Sequence, residues 1–137
     1  MDNIVFEKVW QNDNLIELKI SASSEFVSAY QNCYVEQKVL EDTSDKICDY
    51  IYDHSKPCYV ELGKKSGNFT PAFSMCILPA EKSGHMKIEV DIEIADNDMR
   101  IHRCCFYVKS ELGLVEQFGV RLKNLAAKLV GIKVALY

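Results

Sequence analysis

The run Ile101-His102-Arg103-Cys104-Cys105 sets an imidazole, a guanidinium and two adjacent thiols just ahead of a helical stretch, the densest chemistry in the chain. Imidazole and thiolate together could hold a transition metal or carry thiol chemistry. Strand geometry argues against both. Successive side chains point to opposite faces, so Cys104 and Cys105 diverge and only His102 and Cys104 share a side. Structural zinc sites take four ligands, usually in C-x₂₋₄-C pairs, and Cys33, Cys48, Cys58, Cys76, Cys104 and Cys105 contain no such pair. Most of these thiols lie among Val, Ile, Phe and Tyr, as reduced, buried cysteines do. The sequence predicts no metal and no cofactor.

A second candidate is the ladder Glu89, Asp91, Glu93. Carboxylates two apart on a strand stand about 7 Å from one another, too far for all three to chelate one small ion. A solvated face is the simpler account. Asp96-Asn97-Asp98 opens like a calcium loop but lacks the Gly and Glu that such a loop needs, so it reads as a turn. His54 lies near Cys58, yet no nucleophile, base and orienting group recur in a recognisable pattern. No catalytic residue emerges, and the reading leans away from an enzyme.

Two placements remain to be tested. Alternation from Ile101 puts Arg103, Cys105 and Tyr107 on the side that should face the following helix, where they would line a pocket for a small ligand or substrate. Tyr50 and Tyr52, beside Asp49 and Asp53, fall off the apolar stripe of their helix. With Glu89, Asp91, Glu93 and His102 they would form an acidic, tyrosine-bearing surface of the kind partners dock on.

The elements that must position these groups are legible from periodicity. Ile4–Trp10 and Leu15–Ala22 flank Asn12-Asp13-Asn14 as a hairpin, and pairing Gln11 with Leu15 sets Glu7 opposite Lys19 and Trp10 opposite Ile16. A strand over Phe26–Val35 precedes a helix over 36–53, whose stripe is Leu40, Thr43, Ile47 and Ile51. Strands follow over Cys58–Lys64, Pro71–Leu78, Met86–Ile94 and Met99–Val108. Pairing Ala95 with Asp98 would set Glu93 opposite Arg100 and Asp91 opposite His102. A second helix over 111–129, with Ser110 as its cap, carries Leu112, Val115, Phe118, Leu122, Leu125 and Leu129. Gly131 ends it, and Ile132–Tyr137 forms a last strand that closes the sheet or pairs across a homodimer. The expected fold is α+β: about six to eight antiparallel strands in the order βββαββββαβ, with both helices packed on one face.

With 137 residues and no linker, low-complexity tract or sequence repeat, the chain reads as one domain over 1–137. A net charge of −4 and the lack of a basic stripe exclude a general nucleic-acid binder. No apolar run approaches the roughly 20 residues that span a bilayer, and no signal-like opening is seen, so a cytoplasmic location without membrane partners is expected. The expected function is a small, non-enzymatic accessory protein that recognises a protein partner through the acidic surface. A pocket near Arg103 is the alternative. Size and acidity are also compatible with a bacterial immunity-type protein, an association of class only.

Overall fold

The computed structural model describes residues 2–63, 71–94 and 102–137. The expected turns at 64–68 and Asp96–Asp98, and the Glu93–Arg100 pair, lie outside the described residues. The fold is α+β, with eight antiparallel strands and two helices in the expected order.

β1 (Asn3–Gln11), β2 (Ile16–Ser23) and β3 (Ser28–Val35) form a meander. Their alternation buries Ile4 and Phe6, then Ile16, Leu18, Ile20 and Ala22. Glu7 does face Lys19, but the register slips between Lys8 and Trp10. The extra residue, Val9, is a β-bulge, and an odd slip reverses which way later side chains point. Trp10 therefore pairs with Glu17, not Ile16, and stacks edge-on against Tyr34 (ring centroids 6.0 Å apart) on the outer face.

α1 (Gln37–Tyr52) buries Leu40, Thr43, Ser44, Ile47 and Tyr50. β4 (Cys58–Leu62), β5 (Phe73–Ile77), β6 (His85–Ile94) and β7 (His102–Glu111) follow, then α2 (Leu112–Asn124), a 3₁₀ turn (Leu125–Ala127) and β8 (Lys133–Ala135). Ser110 does not cap α2: it is the last buried residue of β7, and Glu111 holds the cap position. α2 ends before Leu129, which leaves the apolar stripe and stands 81% exposed.

The strands divide into two four-stranded sheets, β3-β2-β1-β8 and β4-β5-β6-β7. This division exposes a repeat that the sequence conceals. β1–β2–β3–α1–β4 and β5–β6–β7–α2–β8 are the same unit, and each donates its final strand to the other's sheet. Buried positions of the helices coincide at a constant offset: Leu40 with Val115, Thr43 with Phe118, Ser44 with Gly119, Ile47 with Leu122. Equivalent residues also touch. The Ser44 hydroxyl donates to the Gly119 carbonyl at 2.7 Å. Contact between equivalent positions is what a twofold relation produces. Ser44 and Gly119 are small because the helices cross here; a Cβ on Gly119 would lie 2.7 Å from Ile47 Cγ2. The two units thus share one hydrophobic core.

Candidate functional site

The outer face of the β4-β5-β6-β7 sheet carries the polar chemistry. Register aligns Tyr59, Cys76, Glu89 and Tyr107 in one row across the four strands. The outer tyrosines are each 51% exposed. The Tyr107 hydroxyl donates to Glu89 Oε2 (3.4 Å), and the Tyr59 hydroxyl to Glu61 Oε2 (3.1 Å). Burial, with the Glu61 carboxylate next in weight, raises the Tyr59 hydroxyl above its ordinary range, so it stays a donor.

The next row runs Glu61, Ser74, Asp91, Cys105. Arg103 Nε meets both Asp91 oxygens (2.9 and 3.0 Å) and its Nη2 meets Oδ2 at 2.7 Å. This forked geometry orients the carboxylate firmly, although exposure keeps its net contribution to at most about 1 kcal/mol. It also corrects two expectations. Asp91 pairs with Cys105, and His102 with Ile94, a register three residues from the one expected. An odd shift turns the strand over. Arg103, Cys105 and Tyr107 consequently stand on the exposed face, and Phe106 and Val108 face the core. In this orientation Arg103, Cys105 and Tyr107 point away from the helices.

Two of the six residues expected on the acidic surface, Tyr50 and Glu93, are buried. Tyr50 is buried, its hydroxyl donating to the Leu78 carbonyl at 2.6 Å, and burial pushes it up to about 12. Glu93 is buried where β3 crosses the end of β6, and the Gln31 amide donates to its backbone carbonyl (2.9 Å). Tyr52, Glu89 and His102 are exposed, and Asp91 is partly so.

Tyr52 opens a second part of the same surface. Beyond the end of α1 lies a groove of about 500 Å³ lined by Lys46, Asp49, Tyr52, Asp53, Cys58 and Tyr59, among others. Its electrostatics follow from the helix. The carbonyl end of a helix carries partial negative charge, which cations normally offset. Here the last turn has no basic residue and Asp49 and Asp53 add carboxylates, while Lys46 also lines the groove and Lys56 meets Asp53 at 3.8 Å from beyond the helix. The Ser55 hydroxyl holds the Asp53 carboxyl below its usual range. Tyr59 borders both groove and sheet face, making one surface of them. Its outward direction was readable: in CYVEL, Val60 and Leu62 take the inner face, leaving Tyr59 and Glu61 outside.

Thiol chemistry receives no support from this geometry. Burial raises Cys33, Cys58, Cys76 and Cys105 above the ordinary thiol range, with Asp91 adding to the effect at Cys105. A raised thiol holds less of the nucleophilic thiolate. Among the described residues no three His, Cys, Asp or Glu side chains are grouped to hold a metal ion, and no helix is long and apolar enough to cross a membrane.

Sequence reasoning missed Lys8. It is fully buried, and its ammonium donates to the carbonyls of Ala126 (2.8 Å) and Lys128 (2.6 Å). Burial lowers it from its ordinary value. Its place on the same strand face as Ile4 and Phe6 was the available signal. No protein-family model, curated protein or solved structure matches the chain.

Proposed function

We propose that this is a non-enzymatic binding protein whose partner docks on the acidic, tyrosine-bearing face formed by β4–β7 and the end of α1. The row Tyr59–Cys76–Glu89–Tyr107 carries this reading. Two half-exposed tyrosines flank a carboxylate on a rigid sheet, and a third, Tyr52, is 93% exposed at the adjoining groove. Tyrosine offers large contact area at low entropic cost and a polar tip, so it recurs at interfaces. Glu61, Glu89 and the Asp49 and Asp53 carboxylates at the end of α1 favour a partner that brings lysine or arginine.

The protein expressed at native level, captured from cells with its bound proteins, tests this. A specific partner should be retained by wild type and lost with Tyr59→Ala/Tyr107→Ala and with Glu89→Lys, while the melting temperature stays within a few degrees. Capture that returns no partner, or one indifferent to all three substitutions, would remove the proposal.

A further inference from the structure

We propose that the turn after α2 is a second docking site, for an acidic, aliphatic-rich segment of a partner protein. From Val120 to Lys133 the chain reads VRLKNLAAKLVGIK, with Arg121, Lys123, Lys128 and Lys133 and no carboxylate. The rest of the chain carries twelve Lys and Arg against twenty Asp and Glu. The basic charge is therefore concentrated in one segment of an otherwise acidic protein.

That segment also presents apolar surface. Leu129, Val130 and Ile132 are 81%, 56% and 42% exposed, a contiguous aliphatic group such as marks interaction sites on soluble proteins. It is held in place from beneath. The Lys8 ammonium takes the Ala126 and Lys128 carbonyls, the Lys8 N–H donates to Ile132 O (3.1 Å), and the Gly131 N–H donates to Lys8 O (2.7 Å). Gly131 supplies the positive φ of 101° that the turn requires. A buried lysine thus fixes a turn whose own side chains are left in water. Preorganisation of this kind lowers the entropic cost of docking.

Charge decides which partner fits. Lys128 and Lys133 bracket the aliphatic side chains; Lys133 shares its sheet row with Glu7 and Lys19. Cations on either side of an apolar centre match a segment with carboxylates on either side of leucines. An anionic bilayer offers the same charge but acts on the whole molecule, and the acidic remainder of the chain would be repelled from it. A discrete acidic segment meets the basic turn alone.

Backbone amide NMR of the ¹⁵N-labelled protein, titrated with a synthetic amphipathic peptide of leucine and glutamate, tests the site. Shifts should concentrate in residues 120–133, weaken as salt rises, and fail to appear with the lysine-for-glutamate peptide. Leu129→Ser/Val130→Ser should weaken binding about tenfold or more, with an unchanged melting temperature because both side chains are exposed. Shifts elsewhere, equal binding of the lysine peptide, or full affinity in the serine variant would each overturn the proposal. So would co-sedimentation with phosphatidylserine vesicles in the absence of peptide binding, which would assign the turn to a lipid surface instead.

Discussion

Lys8 and Ile77 hold the same place in the two halves of this molecule: Lys8 shares its row with Leu18 and Cys33, and Ile77 shares the matching row with Ile88 and Val108. Both are buried. Ile77 lies between Cys58 and Ile88 of its neighbouring strands, whereas Lys8 reaches the carbonyls that follow α2. The halves share a topology and anchor their helix ends differently. Tyr50 ties the end of α1 to Leu78, and Lys8 ties the region after α2. In consequence one helix end is acidic and aromatic, around Asp53 and Tyr52, and the other basic and aliphatic, around Lys128 and Leu129. An internal duplication of the fold therefore carries two unlike surfaces.

Making the halves alike tests how far they are interchangeable. Ile77→Lys places an ammonium between Cys58 and Ile88 and should cost about 4 kcal/mol or more, enough to unfold much of the protein, as urea titration would show. Lys8→Ile supplies the counterpart's side chain but leaves two carbonyls without their donor, an expected loss of about 2–3 kcal/mol. Equal tolerance of both substitutions would mean that the halves are equivalent after all.

The helix crossing should be the next most sensitive place. Gly119→Ala forces a methyl against Ile47 and should cost about 1–3 kcal/mol, whereas Ser44→Ala, removing one hydrogen bond, should cost about 1 kcal/mol. Reversed magnitudes in thermal denaturation would show that the crossing is not close-packed.

Cys33 gives a difference that depends on pH. Burial first, then the Glu17 carboxylate, pushes its thiol up to about 12 from an ordinary 9.0. An acid whose folded value is raised contributes its full stability below the unfolded value and loses it as pH climbs toward the folded one. Cys33→Ala should thus cost about 1 kcal/mol at neutral pH, and its gap to wild type should narrow above pH 9. A constant gap would mean that the thiol is not desolvated. The smallest effect belongs to Arg103→Ala, at most about 1 kcal/mol and reduced by salt. A larger loss would return Arg103 to the interior.

Much of the fold was legible because it follows local periods. The alternation of Met86 to Ile94 and the stripe Leu40–Thr43–Ile47 each declare an element without reference to the rest of the chain. The same reasoning found the outward direction of Tyr52 and Glu89. It failed for Tyr50, because positions 50 and 51 flank the same helix face and only the Leu78 carbonyl favours the tyrosine. It failed for Glu93, which the crossing of β3 covers. It failed for Arg103, because a three-residue change of register reverses a strand whose composition suits either face.

The order βββαββββαβ, the β1–β2 pairing as far as Lys8 and the amphipathic helices follow from local sequence, since each is set by neighbours within a few residues. Tertiary structure alone decided the division into two sheets, the exchange of β4 and β8, the outward turn of Trp10, and the partners of Lys8. Period-two alternation has no memory of register, so either face is consistent until long-range pairing selects one. A lysine among apolar residues is readable as a conflict, but its resolution lies 118 residues away at Ala126.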